Sequence, residues 1–337
     1  MLICRICSNE KNNLRLEVHE KMFGSREKFE YFQCSSCGCL QIENIPIDIA
    51  KYYPSTYYSY SGKKTAPFLK RKLTNYRDNF SVFDVGVVGR LLHNFRPKIQ
   101  LRALARLSLK SDKRILDVGC GSGSLLRSLQ DIGFKNLLGI DPFITEDINH
   151  GNGLRIEKKE CINVGGIWDV VMFHHSFEHI SMQFETLQNV KTILDDNGTC
   201  LIRITTVSSF AWRHYGVNWA QLDAPRHFFL HSVQSMAILA NRAGFYIEHV
   251  AFDSDDLQFW GSELYIKDIP LVDRHTHKPN KSTFFSGGQL RKYSAEAERL
   301  NATQDGDQAV FYLKKIAVDC DGVLTNFLPE GKVCINV

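Results

Sequence analysis

The run Ile115-Leu116-Asp117-Val118-Gly119-Cys120-Gly121-Ser122-Gly123 constrains this chain more than any other stretch. An apolar segment ends in a carboxylate, breaks into three alternating glycines, and is answered by a second apolar segment ending in Gly139-Ile140-Asp141. A tight turn leaving a parallel strand needs glycine where backbone approaches a ligand or takes positive φ. A carboxylate about twenty residues further on, at the tip of the next strand, is where a nucleotide ribose is held. The pattern therefore predicts a site for an adenosine-containing cofactor.

Which cofactor depends on what the loop lacks. A dinucleotide fingerprint would place a third glycine at position 124, which is Ser124, and no Lys-Ser or Lys-Thr follows to make a phosphate loop. Asp117 stands two residues ahead of the first glycine. S-adenosylmethionine carries an ammonium and a sulfonium and no pyrophosphate, so a carboxylate beside the loop attracts it and repels a dinucleotide. The expected cofactor contacts are Asp117, Gly119, Cys120, Gly121, Gly123, Asp141 and His174. This motif resembles the first motif of class I S-adenosylmethionine-dependent methyltransferases.

Two further features bound the chain. Hydrophobic content of 44% and charged content of 23% over 337 residues are ordinary for a globular protein larger than one core. The net charge is +4, with basic clusters only at Lys63-Lys64 and Lys70-Arg71-Lys72, so no nucleic-acid partner is expected. No apolar run is long enough to span a bilayer, and the N-terminus lacks a signal-peptide core, so a cytoplasmic location is expected. Cys4-x-x-Cys7 and Cys34-x-x-Cys37 are two knuckles separated by 26 residues. Two such pairs are what a tetrahedral structural zinc site requires, with Cys39 as a spare sulfur.

Periodicity divides the chain into four parts. Residues 1–45 read as a zinc ribbon with strands near Leu14–Val18 and Phe29–Cys34. Residues 46–110 read as an aromatic linker or lid (Tyr52-Tyr53-Pro54, Tyr57-Tyr58-Ser59-Tyr60) followed by N-terminal helices. Their apolar positions Val88, Leu91, Leu92, Phe95, Leu101, Leu104 and Leu107, interrupted at Pro97, predict packing beside the nucleotide domain. Residues 111–314 alternate strand and helix, with strands at 114–118, 136–141, 153–158, 168–174, 198–206, 245–252 and 308–314. Helices are predicted at 123–132, 183–195 and 232–243, the second stopped by Asp196-Asn197-Gly198 and the third capped by Ser232. The expected fold is α/β: a doubly wound, mostly parallel, seven-stranded Rossmann-like sheet with a small N-terminal zinc ribbon.

Ligands in such a sheet sit beyond the carboxyl ends of the strands. The loop after the fourth expected strand reads His174-His175-Ser176-Phe177-Glu178-His179-Ile180. The loop after the fifth carries Trp219, then Leu222-Asp223-Ala224-Pro225-Arg226-His227, and Trp219 and Arg226 are candidate substrate contacts. Two chemistries fit. His179 or His227 removes a proton from an acceptor hydroxyl, for which a base of pKa near neutrality is suited. Alternatively, His175, Glu178, His179 and His227 hold a second, divalent metal that acidifies the hydroxyl.

The glycine motif, Phe177-Glu178-His179-Ile180 and Leu222-Asp223-x-Pro225-Arg226-His227 together resemble a bacterial methyltransferase family found in polysaccharide and sugar-modification pathways. Asp253-Ser254-Asp255-Asp256, Phe259-Trp260-Gly261 and Gly306-Asp307-Gln308-Ala309 extend the likeness over residues 80–314. The zinc knuckles are similar to those of deoxysugar C-methyltransferases, whose extra C-terminal domain has no counterpart here. The His-Glu-His spacing is similar to the Glu-x-x-Glu-His of metal-dependent RNA 3′-end methyltransferases, with His175 in place of the first glutamate. These resemblances imply methyl transfer to a small-molecule or glycan acceptor, at a hydroxyl or a carbon. An NAD-dependent sugar oxidoreductase and a non-catalytic nucleotide-binding ribbon protein are the alternatives. Residues 315–337 resemble a truncated first motif of haloacid-dehalogenase-type phosphatases, with Asp319 and Asp321 in its two acidic positions.

Overall fold

The computed structural model describes residues 2–53, 67–273, 276 and 278–317. Two sheets follow from two kinds of strand. Near the N-terminus β1 (Leu14–His19), β2 (Lys28–Gln33) and β3 (Leu40–Ile42) pair antiparallel in that order. The large sheet contains β4 (Arg114–Val118), β5 (Asn136–Ile140), β6 (Ile148–Gly151), β7 (Leu154–Glu157), β8 (Trp168–His174) and β9 (Leu194–Thr205). It is completed by β11 (Phe245–Phe252) and β12 (Gln308–Lys315), in the spatial order β11-β12-β9-β8-β4-β5-β7-β6. The five central strands from β9 to β7 run parallel, and β12 lies antiparallel to both its neighbours.

The sheet has eight strands where the sequence predicts seven. The addition is β6, which doubles back on β7 through Gly151, Asn152 and Gly153, all at positive φ. Three consecutive left-handed residues close a tight hairpin that a helix-strand alternation does not announce. The chain moves outward from β4 through β5 to β7 and then returns to β8. The β4/β8 boundary is therefore the topological switch point, where a doubly wound sheet opens its crevice.

Ten helices are described: α1 (Phe68–Phe83), α2 (Val87–Phe95), α3 (Ile99–Ala105), α4 (Ser124–Asp131), α5 (Gln183–Ile193), α6 (Phe210–Tyr215), α7 (Val233–Arg242), α8 (Leu257–Ile266), α9 (Lys281–Phe284) and α10 (Gly287–Ala302). Ser232 caps α7 as expected, accepting from Ser235 N at 2.9 Å. The expected stop of α5 is displaced: it ends at Ile193, Leu194 is already extended, and Asp195 to Gly198 belong to β9. The segment read as a lid instead contributes α1. Its Tyr57–Tyr60 part, like the Asp319/Asp321 motif, lies outside the described residues. Leu101 and Leu104 of α3 pack into the core as predicted, but Val88, Leu91 and Phe95 of α2 point outward. Among the described residues no helix is long and apolar enough to cross a membrane.

The ribbon is not a separate body. Its sheet takes a fourth strand, β10 (Phe229–Leu230), from the loop that follows α6, pairing antiparallel with β3. One apolar core runs from Ile6 and Tyr31 through Phe229 to Leu116 and Phe173. The junction is fastened by Arg226, which is wholly buried. Its guanidinium donates to Glu20 Oε1 at 3.2 Å, to both Asp223 oxygens, and to the Tyr52 carbonyl at 3.3 Å. Removing one member of a buried ion cluster leaves uncompensated charge, at a cost of about 3–5 kcal/mol. Arg226→Ala is accordingly expected to destabilise the protein by that amount in denaturant titration. A loss under about 1 kcal/mol, typical of an exposed pair, would contradict the account.

Candidate functional site

The glycine loop leaves β4 with Gly119, Gly121 and Gly123 all at positive φ. A Cβ on Gly119 would overlap the Ser176 side chain, which approaches from the end of β8. Ser176 Oγ in turn donates to the Val118 carbonyl at 2.5 Å. The two strand tips are thus bonded across the switch point, and only glycine fits between them.

Asp141, at the tip of β5, accepts from Gly121 N at 2.9 Å and from Phe143 N at 2.8 Å. It shapes the glycine loop as well as facing the crevice. Burial, and then the neighbouring Asp141, push the carboxyl of Asp117 well above the usual range. A cation placed between these two groups would relieve both penalties. Cys120 is half-buried with its thiol pushed up by burial. His174 turns away: its ring nitrogens are buried without partners, burial and Arg203 hold it neutral, and it does not line the crevice.

The loop after β8 brings three expected residues together and sets one apart. Glu178, His179 and His227 present ligand atoms within 4.8 Å of one another. Glu178 is wholly buried; burial raises its carboxyl, but His175, His179 and His227 overcome this and hold it near about 2. Its Oε1 accepts from His175 Nδ1 at 3.2 Å, whereas its Oε2 has no partner. His175 is set apart because both its nitrogens are committed: the other accepts from the Arg203 guanidinium, itself bound to Asp253 and Gln308. It orients Glu178 and has no lone pair to offer.

Hydrogen bonds fix the other two imidazoles. His179 Nδ1 donates to the Arg226 carbonyl at 2.7 Å, with the Tyr53 hydroxyl 3.2 Å away. His227 Nδ1 donates to the Gln221 carbonyl at 2.9 Å. Carbonyls only accept, so both rings carry their proton on Nδ1 and keep a lone pair on Nε2. The rings lie 4.8 Å apart. Burial, and then His179, lower the pKa of His227 to about 4.

A cavity of about 480 Å³ joins the two halves of the site. Val118, Gly119 and Asp141 line it together with His175, Ser176 and His179. Its walls include residues the sequence did not single out. Ile45, Ile47 and Ile49 come from the segment after the ribbon, Phe143 from the turn after β5, and Met182 from the start of α5. Tyr53, within the expected lid, stacks on Phe143 with ring centres 5.7 Å apart. Trp219 and Arg226 do not reach it. Trp219 is wholly buried and donates to Asp307 at 2.9 Å, and Arg226 is bound as described above. The structure gives both a place inside the protein, not a substrate wall.

The four knuckle cysteines converge. Cys4 and Cys37 sulfurs are 3.6 Å apart, Cys7 and Cys34 sulfurs 3.5 Å, and all four lie within 4.8 Å of one another. Tetrahedral zinc–sulfur bonds of about 2.3 Å require sulfurs roughly 3.8 Å apart, so the set fits zinc. The Cys37 thiol pulls Cys4 down to about 5. Gln41 Nε2 donates to Cys4 at 3.2 Å and Asn9 Nδ2 to Cys34 at 3.7 Å, as amides do around metal thiolates. Cys39 stays outside the group, facing the Leu40 carbonyl.

Two measurements check this geometry. Elemental analysis is expected to find one zinc per chain, lost in Cys34→Ser together with a fall in thermal midpoint; full zinc content in that variant would rule the site out. The unfolded chain protonates His227 near its ordinary 6.5, whereas the folded chain resists protonation down to about 4. The unfolded state binds more protons across that window, so stability should fall as pH drops through it. A midpoint flat from neutrality to about 4 would contradict the buried, neutral assignment.

Residues 92–250 match the family model described as a methyltransferase domain. No curated protein matches the chain. Solved structures similar to it include an S-adenosylmethionine-dependent methyltransferase from Mesorhizobium loti (15% identity, 62% of this chain and 95% of that one, TM-score 0.40). Another, from Archaeoglobus fulgidus, is 19% identical over 68% of this chain and all of its own, with TM-score 0.39. A third is the 1,6-didemethyltoxoflavin-N1-methyltransferase of Burkholderia thailandensis, at 13% identity, 76% and 93% coverage and TM-score 0.38. Likenesses this distant carry no argument about substrate. With the domain matched over β4 to β11 and the crevice at its switch point, the chain is, by enzyme class, an S-adenosylmethionine-dependent methyltransferase.

Proposed function

We propose that this enzyme methylates a hydroxyl of a small sugar or glycan-precursor acceptor in the cytoplasm, with His179 as general base. The observation that supports the reading is the shared cavity: the glycine loop and His179 line one space of about 480 Å³. Gly119 to Gly123, Asp117 and Asp141 would hold S-adenosylmethionine, which supplies an electrophilic methyl group when bound. A buried pair of carboxylates at a strand tip fits its two positive centres. Tyr53 and Phe143 offer aromatic surface against which the apolar face of a sugar ring would pack.

His179 is the member of the histidine pair that lines the cavity, and its Nε2 lone pair is available for the acceptor proton. The Arg226 carbonyl holds the ring, and Glu178 lies close enough to stabilise the imidazolium as it forms. A structural zinc in the ribbon would hold the wall that supplies Ile45 and Ile47. None of the eight described cysteines is in a disulfide, which suits a reducing compartment.

A second reading rests on one observation. Glu178 Oε2 lacks a partner, His227 Nε2 lies 3.9 Å from Oε1, and ligand atoms of Glu178, His179 and His227 lie within 4.8 Å of one another, so the three residues form a two-histidine, one-carboxylate set. Such a set holds divalent metals.

S-adenosylmethionine and S-adenosylhomocysteine are expected to raise the thermal midpoint, and NAD to leave it unchanged; stabilisation by NAD alone would sink the methyl-transfer reading. His179→Ala is expected to lower kcat by about 10²–10⁴-fold while cofactor binding persists. Chelation separates the two readings: activity indifferent to EDTA favours the base, and activity lost to EDTA and restored by a divalent ion favours the metal.

A further inference from the structure

The helical hairpin α1–α2 packs Val82 and Phe83 inward yet leaves other apolar side chains exposed. Asp78, Ser81 and Val82 of α1 are buried, whereas Leu69 and Tyr76 turn to the outer side and Phe68 is exposed in the first turn. In α2 the inward residue is Gly89, where a Cβ would overlap the Tyr76 carbonyl, and the outward ones are Val88, Leu91 and Phe95. Leu91 is 66% exposed, Phe68 83% and Phe95 91%. A soluble face of this length with its apolar residues outermost marks a contact surface.

Charge identifies what covers it. Residues 68–98 contain seven Lys and Arg and only two Asp, whereas the whole chain has a net charge of +4. Both acids are already matched, Asp78 by Arg77 at 2.6 Å and Asp84 by Arg102 at 2.5 Å. Lys70, Lys72 and Arg71, the last already 3.6 Å from Asp131 of α4, interrupt the apolar residues at the start of α1, and Arg90 does so in α2. A second copy meeting this face across a two-fold axis would set these cations against themselves. A surface that is both apolar and anionic satisfies both halves of the pattern.

We propose that α1–α2 is an interfacial anchor that lays the enzyme on an anionic lipid bilayer. The aromatic and aliphatic side chains enter the headgroup boundary, and the basic side chains pair with lipid phosphates. The hairpin lies on the surface without spanning it, consistent with the lengths of its helices. This assignment is independent of the acceptor and of the catalytic base.

Co-sedimentation of the full chain with vesicles tests it, using phosphatidylcholine alone and phosphatidylcholine mixed with phosphatidylglycerol. Binding is expected only to the mixed vesicles and to weaken with salt. Reversing three surface cations, Lys70→Glu with Arg71→Glu and Lys72→Glu, should reduce partitioning roughly a hundredfold. Leu91→Ser with Phe95→Ser should release the protein as well, at unchanged thermal midpoint because both side chains are exposed. Three results would overturn the proposal. One is no binding to mixed vesicles. Another is loss in the charge-reversed variant with full retention in the serine variant, which would mean electrostatics without insertion. The third is a lipid-free dimer, by light scattering, that the serine variant converts to monomer.

Discussion

A guanidinium shut away from water joins the N-terminal sheet of this protein to the wall that carries His179. Arg226 joins Glu20, on the turn after β1, to Asp223, on the loop after α6, and its own carbonyl accepts the Nδ1 proton of His179. Glu20 is in turn fixed by backbone donors from Phe23 and Ser25, so the carboxylate cannot swing away. The next residues continue the connection. The His227 carbonyl accepts from Tyr31, Phe228 accepts from Ile42 N, and Phe228 N donates back to Glu178. The ribbon therefore does more than decorate the N-terminus. Its sheet packs against the backbone that orients the imidazoles of His179 and His227.

The second constraint is the narrowness of the switch point. Ser176 presses against Gly119 closely enough to forbid a side chain, which draws the β8 loop over the glycine loop. Closeness of this kind has an electrostatic consequence. Asp117 and Asp141 are brought to adjacent strand tips, where burial and then the neighbouring Asp141 push the carboxyl of Asp117 well above its usual range. The same packing that closes the sheet thereby prepares a site for a cationic ligand before any ligand arrives.

Much of this was legible in the sequence, and the boundary of legibility is physical. Strands β4, β5, β8, β11 and β12 and helices α4 and α7 carry strong period-two or helical patterns, and they form within a residue or two of the expected limits. The glycine loop and the four knuckle cysteines were readable because their residue types have few alternative uses. Local pattern could not reveal β6, which depends on three left-handed residues, or β10, whose two residues matter only through pairing with β3. It also mistook Trp219 and Arg226 for substrate contacts. Their polar groups are consumed by Asp307, Glu20 and Asp223, partners found only after folding. The outward turn of Leu91 and Phe95 was hidden for the opposite reason, since helical spacing marks a face without saying what it meets.

The histidine site shows how a small difference in hydrogen bonding decides between chemistries. His175, His179 and His227 are alike in sequence, yet Arg203 donates to His175, while the other two donate only to carbonyls. A ring accepting from a guanidinium has spent its lone pair; a ring donating to a carbonyl has kept it. Ligand atoms of both rings lie within 4.8 Å of Glu178, whose charge is maintained by neighbouring imidazoles despite complete burial. A carboxylate so placed favours positive charge at His179 whether it arrives as a proton taken from an acceptor or as a metal ion. The cavity side of His179 is where these alternatives diverge, because His179 lines the space an acceptor would enter and His227 does not.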